Sequence, residues 1–208
     1  MAMSNNKEEK DRLTMDEDFE LTRRSQKGEI DAFEALVEKY QKKMLNTAYR
    51  MIGDYEEACE VVQDAFLAAY RALSKFRGES RFSTWLYSIV INLSKNRLVK
   101  VKTRLHREGL SLDDRGTHVQ GQVRDDPPAQ DSPVADQVEK REVQEKIQEC
   151  MSTLDPEYRE VLVLRDVQGF SYEEIRAILK VPDGTVKSRL FRARDGLKEC
   201  LKKAWGDL

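Results

Sequence analysis

The sequence predicts an all-α protein, two small helical domains joined by a flexible acidic linker, and three observations predict it. Charged residues make up 36% of the 208 and aromatic residues 8%, a balance that suits solvated helices better than sheets. Apolar residues recur at helical spacing through most of the chain, and only ten glycines and five prolines are available for turns. Between Glu108 and about Asp136 that periodicity stops, and Asp, Gly, Gln and Pro take over, with Pro127, Pro128 and Pro133 among them. A hydrophobic fraction of 39% can bury a real core, and the length suits one large or two small domains; the break decides for two. The expected organisation is a disordered tail over 1–15, a first domain over 16–107, a linker over 108–136 and a second domain over 137–205.

Taken in order, the tail is polar and mostly charged, with nothing to bury. Phe19 and Leu21 start a short helix that Gly28 ends. Ile30, Phe33, Leu36, Val37, Tyr40, Met44 and Leu45 then mark the core face of a long helix closed by Gly53 and Asp54. A third helix from Tyr55 to Leu73 buries Ala58, Val61, Val62, Ala65, Phe66 and Ala69 and shows Glu56, Glu57, Glu60 and Asp64 outside, so that its outer side would repel DNA. The segment from Lys75 to Leu98 passes from a glycine-containing loop into a helix with Ser83 expected as its N-cap. There Phe76, Phe82, Trp85 and Tyr87 are interleaved with Lys75, Arg77, Arg81, Lys95 and Arg97; rings accept base faces and cations accept phosphates. Trp85 and Leu86, with Ile89 and Val90, read as core at helical spacing, whereas Phe76 lies in the loop and reads as a stacking platform.

Net charge is −2, which would argue against nucleic acid if the charge were evenly spread. It is segregated: Ser94 to Arg107 carries six basic residues and no acid, while Glu108 to Glu139 carries eight acids and two arginines. Fully extended, the linker of ~28 residues reaches at most ~90 Å, so the two domains could act several turns of DNA apart.

The second domain opens near Val138 with Val143, Ile147, Met151 and Leu154 on one helix, followed by Asp155-Pro156, an N-cap with proline at the first helical position. Ser171 and Glu174 have capping-box spacing. Ile175, Ile178 and Leu179 continue that helix, and Val181-Pro182-Asp183-Gly184 breaks it, with Asp183 expected to cap the next. Along the last helix Val186, Leu190, Ala193, Leu197 and Leu201 make an apolar stripe, while Thr185, Ser188, Arg189 and Arg192 share another face. Hydroxyls and guanidiniums there suit base edges, with Lys187, Arg194 and Lys198 flanking for phosphates. The outline is a helix-turn-helix whose second helix reads the major groove; the plainer reading of the same face is a solvated basic side of a surface helix.

Cys59, Cys150 and Cys200 are odd in number and widely spaced with no CxxC pair, so ordinary reduced thiols are expected, with neither a disulfide nor a zinc site. His106 and His118 sit at no ligand spacing, and no metal or cofactor is expected. No phosphate loop, carboxylate metal cluster or nucleophile with a base is present, which argues against an enzyme. Neither a signal peptide nor a membrane-length apolar run is present, so a cytoplasmic location is expected.

With these residues in hand, the chain resembles the extracytoplasmic-function family of bacterial sigma factors, particularly the envelope-stress type. The resemblance covers about Asp18 to Leu201 without the linker, and rests on EEACEVVQDAFLAAYRAL, FRGESRFSTWLYSIVINLSKN and LDPEYREVLVLRDVQGFSYEEIRAILKVPDGTVKSRLFRAR in that order. It implies that the acidic helix binds the clamp of the largest subunit of core RNA polymerase, with Glu57, Glu60, Gln63, Asp64 and Phe66 matching the motif; Cys59 stands where the family usually has an acid. It implies that Lys75 to Asn96 recognises and opens the −10 element, with Lys75, Phe76, Arg77, Asn92, Lys95 and Asn96 on single-stranded DNA and a flipped base meeting Phe76 and Asn92. Thr185, Lys187, Ser188, Arg189, Phe191, Arg192 and Arg194 then take the −35 duplex. The linker would run where RNA later passes, its acidity mimicking nucleic acid, and an anti-sigma partner, often membrane-anchored, would hold the protein inactive. The alternative is a conventional helix-turn-helix regulator that binds operators without polymerase.

Overall fold

The computed structural model describes residues 17–107 and 134–206. The expected tail, the linker over 108–133, His118 and the side chain of His106 lie outside the described residues. Every regular element among the described residues is helical. The first unit comprises α1 (17–26), α2 (Ile30–Ile52), α3 (Tyr55–Ala72) and α4 (Phe82–Arg107). The second comprises α5 (Val134–Thr153), α6 (Pro156–Leu162), α7 (Tyr172–Leu179) and α8 (Asp183–Trp205).

Helix α1 is held by polar contacts, since Asp18 accepts from the Tyr40 hydroxyl and pairs with Lys39 at 2.8 Å. Its Gln26 amide donates to the carbonyls of Leu73 (3.0 Å) and Phe76 (2.8 Å), which anchors the loop before α4. Helix α2 ends because Gly53 adopts φ 85°, a left-handed conformation in which its N–H reaches the Tyr49 carbonyl at 2.7 Å. Ile30, expected in the core, is exposed at the start of α2. Helix α3 starts where Asp54 accepts the Glu57 N–H at 2.9 Å, and it buries the six residues its spacing predicts. Helix α4 begins at Phe82, one residue before the expected cap; the Ser83 hydroxyl is instead a partner of Tyr40, and Trp85 N–H bonds the Arg81 carbonyl.

In the second unit α5 begins at Val134, within the segment expected as linker and ahead of Val138. Pro156 opens α6 after Asp155. A π-helical turn, Val163–Val167, keeps Val163 and Leu164 buried before Gly169 turns the chain. The capping box of α7 is present: Glu174 N–H donates to the Ser171 hydroxyl at 3.2 Å, and Ser171 N–H to the Glu174 carboxylate at 2.9 Å. Lys180 takes a left-handed φ of 56° to end α7, at a cost of about 1–2 kcal/mol. The N-cap of α8 is Pro182, whose carbonyl accepts from Thr185 and Val186; Asp183 lies inside the helix, and its carboxylate pairs with Lys187 at 2.8 Å. A methyl group at Gly196 would sit 2.9 Å from Leu154 Cδ2, which shows how closely α8 packs here.

The two units are docked on one another: their buried residues form one continuous hydrophobic cluster, and α2 and α4 pack against α5, α6 and α7. Cys150 and Cys200 are not free thiols but a disulfide, because the antiparallel packing of α5 and α8 brings Cα atoms fifty residues apart in sequence to 5.6 Å. Cys59 remains a thiol.

Candidate nucleic-acid and protein interfaces

The second helix of the helix-turn-helix carries its stripe inward, with Val186, Leu190 and Ala193 buried and Leu197 packed against the cluster. Ser188, Phe191 and Arg192 stand outside, Phe191 with 73% of its surface exposed, and Thr185 is half-buried. The cations are not equivalent. Arg192 donates to the Tyr158 hydroxyl at 3.2 Å, a contact that raises its pKa and steadies the side chain without covering it. Arg194 is held bidentately by Asp166 at 2.6 and 3.0 Å. Arg189, expected to read bases, faces inward: it pairs with Glu157 at 2.6 Å and Glu160 at 3.2 Å, with 21% of its side chain exposed. Its guanidinium braces α8 on α6. Nothing in the spacing of α8 separates Arg189 from Arg192; the acids that do, Glu157 and Glu160, stand two helices earlier on α6.

Glu160 is the junction of the two units. It is 2% exposed and also pairs with Lys95 of α4 at 2.8 Å. Burial pushes its carboxyl above the usual carboxylate range, and the contact with Lys95 pulls it back. Around it Tyr87, buried on α4, donates to Gln168 at 2.9 Å and meets Phe170 edge-on at 4.7 Å. Arg81 reaches Glu174 at 3.5 Å, and Arg50 donates to Gln148 at 3.2 Å. Arg159 donates to the carbonyls of Met51, Ser152 and Leu154, two on its own unit and one on α2. Burial brings its pKa down to about 10, so it stays charged at neutral pH.

Of the residues expected on single-stranded DNA, Lys75, Arg77, Asn92 and Asn96 are exposed and Lys95 is engaged by Glu160. Phe76 is not a free loop ring; it lies half-buried with its centroid 4.8 Å from Trp85 and 6.3 Å from Phe82, so that an aromatic cluster backs the loop. On α3, Gln63 and Asp64 are exposed, whereas Phe66 is 8% exposed and belongs to the core. Glu57 and Glu60 both pair with Arg97. The apolar residues that do reach the surface of α3 are Leu67 and Tyr70, which continue the line of Gln63 and Asp64 at i+4 and i+7 from Gln63. Among the described residues no group of His, Cys, Asp or Glu is placed to hold a metal, and no helix is long and apolar enough to cross a membrane.

Comparison with known proteins adds to this geometry. The family described as Sigma-70 region 2 matches residues 36–104, and that described as Sigma-70, region 4 matches 144–197. The RNA polymerase sigma-H factor of Pseudomonas aeruginosa is 39% identical over 194 residues, 91% of this chain and 96% of that protein. The ECF RNA polymerase sigma-E factor of Escherichia coli K12 is 36% identical over 85% of this chain and 90% of its own length. Among solved structures, CnrH in complex with the cytosolic domain of CnrY superposes with a TM-score of 0.63 at 26% identity, over 90% of this chain and 98% of that one. RpoE of Bartonella quintana in complex with the anti-sigma factor NepR gives 0.58 at 25% identity, over 82% and 96%.

Proposed function

The chain belongs to the extracytoplasmic-function family of RNA polymerase sigma factors, and from that premise we propose how its residues divide the work. As a sigma factor it initiates transcription with core polymerase and has no chemistry of its own. In this reading α8 enters the major groove at −35, with Thr185, Ser188, Phe191 and Arg192 toward the bases and Lys187, Arg194 and Lys198 on phosphates. Arg189 acts through position, holding α8 on α6. The loop and α4 take the −10 strand through Lys75, Phe76, Arg77, Asn92, Lys95 and Asn96, with region 2 spanning about 16–107, the linker 108–133 and region 4 about 134–205. The line of Gln63, Asp64, Leu67 and Tyr70 meets the polymerase clamp, while Glu57 and Glu60 set its field through Arg97. The working place is the cytoplasm, in a stress response, under an anti-sigma factor; the complex of the similar RpoE with the anti-sigma factor NepR supports the choice of partner.

The observation that carries the reading is the buried Glu160 carboxylate, which pairs with both Lys95 and Arg189. One carboxylate holds a −10 cation and braces the −35 helix, so the unit that reads −35 covers part of the unit that reads −10. The docked form therefore has to open on polymerase before both elements can be read. Run-off transcription with core polymerase and a promoter library tests the function: transcripts that depend on this protein are expected, and tight operator binding without any effect on polymerase would instead favour a conventional regulator.

Two variants test the assignments. Arg192→Ala is expected to lower discrimination between a −35 duplex and a scrambled one by about 1–3 kcal/mol, while Lys198→Ala weakens both alike. Equal losses for the two duplexes would reduce the exposed face of α8 to a phosphate grip. On α3, Asp64→Lys combined with Gln63→Ala is expected to lose core polymerase with an unchanged circular dichroism spectrum, because both side chains are exposed. Co-elution with core at wild-type affinity would remove α3 from the clamp.

A further inference from the structure

We propose that Cys150 and Cys200 are a reversible thiol–disulfide pair whose state decides whether α5 stays with the recognition helix when region 4 moves. The bond joins α5 to the C-terminal half of α8. Its two sulfurs are unequally placed: Cys150 is 2% exposed, whereas Cys200 is half-buried and within reach of a reagent. A disulfide in a protein of the cytoplasm is in general transient or redox-sensing rather than permanent, and this step rests on the cytoplasmic location proposed above.

Helix α5 lies between two neighbours. On one side Gln148 donates to the carbonyls of Tyr49 and Arg50 at 3.4 and 3.5 Å, and Ser152 sits over Gly53, so α5 is docked on the end of α2. On the other, Cys150 is bonded to Cys200 of α8, and Met151 and Ile147 join the hydrophobic cluster that the two units share. Most of residues 141–146 are exposed, so this stretch of α5 adds little apolar hold on region 4. Without the bond, α5 is divided between a polar contact to region 2 and a modest apolar contact to region 4. With it, α5 must leave together with α8, and region 4 departs as an intact four-helix unit.

The oxidant is a low-molecular-weight disulfide. The Cys200 thiolate attacks one of its sulfurs, forming a mixed disulfide and releasing one small thiolate. The Cys150 thiolate then attacks the Cys200 sulfur, closing the protein disulfide and releasing the second small thiolate. Two protein thiols are oxidised, one small disulfide is reduced to two thiols, and two protons pass to solvent and the leaving groups.

The test uses the full chain in a Cys59→Ser background, so that the remaining thiol cannot couple two molecules. The protein is equilibrated with glutathione at increasing ratios of oxidised to reduced form, then assayed by thiol counting and intact mass, by thermal unfolding and by binding to a −35 duplex. Loss of both thiols across a graded range of ratios is expected, with a melting temperature several degrees higher and several-fold tighter −35 binding in the oxidised form. Cys200→Ser should be indifferent to the ratio in all three readouts. Two free thiols at every ratio would overturn the pairing, and a bond that persists in fully reduced glutathione would overturn its reversibility. A bond that forms without moving the melting temperature would overturn the coupling. If the bond and the melting shift appear but neither form binds any −35 duplex, the redox pair stands and the promoter reading fails.

Discussion

Arg159→Ala is expected to lower the unfolding free energy by about 3–5 kcal/mol. Arg159 is 4% exposed, and its guanidinium donates to three carbonyls, those of Met51, Ser152 and Leu154. Ser152 lies in the last turn of α5 and Leu154 between α5 and α6, where a helix leaves its final carbonyls without a helical N–H partner, so none is available to replace the guanidinium. Each buried carbonyl left unpaired costs about 1–3 kcal/mol, and water entering the vacated space recovers part of that sum. Arg159→Lys should recover little, since a single ammonium cannot reach three acceptors fixed by a planar fork. Urea unfolding followed by circular dichroism measures the change. A loss below about 1 kcal/mol would mean that water replaces the guanidinium and that the corner between α5 and α6 does not depend on it.

What was legible in the sequence was what neighbours in the chain decide. The six buried positions of α3, the Ser171–Glu174 capping box and the stop at Gly53 follow from spacing and from one or two local hydrogen bonds, and they stand as predicted. The errors occur where a distant partner outbids the local signal. Ser83 has the chemistry of an N-cap but serves Tyr40 of another helix. Asp183 has it too, yet Pro182 with its extended backbone supplies the cap, and the carboxylate turns to Lys187. Arg189 shares a helical face with Arg192 by spacing, and only the tertiary approach of Glu157 and Glu160 separates the two. The disulfide was illegible for the same reason, because nothing in a separation of fifty residues says that α5 and α8 run side by side. Docking of the two units was also hidden, since Tyr87 and Lys95 read as parts of a nucleic-acid face and nothing in the spacing points to Gln168 and Glu160 as their partners.

That docking leads to the second large effect, on access to the −10 strand. Phe170→Ala combined with Gln168→Ala is expected to raise the affinity of the full chain for the non-template −10 single strand about tenfold, toward that of a fragment spanning 16–107. Tyr87 has two partners in region 4, the Gln168 amide oxygen at 2.9 Å and the Phe170 ring at 4.7 Å, and the double variant removes both while leaving every −10 candidate in place. An aromatic pair contributes about 0.5–1.5 kcal/mol and a hydrogen bond a similar amount. Together they shift the balance between docked and open forms by about 1–3 kcal/mol. Apparent affinity scales with the open fraction, and Lys95 becomes available only as Glu160 withdraws with region 4. The gain is capped by the fragment, in which no region 4 competes. Fluorescence anisotropy with the labelled non-template strand, its complement and a −35 duplex separates the causes. Unchanged −35 binding shows that region 4 remains folded, and a gain confined to the non-template strand shows that its cover has been lifted. If the double variant binds that strand no better than the wild type while the fragment binds it well, the Tyr87 contacts do not hold the units together, and the restraint on the −10 face must lie with the charges around Glu160.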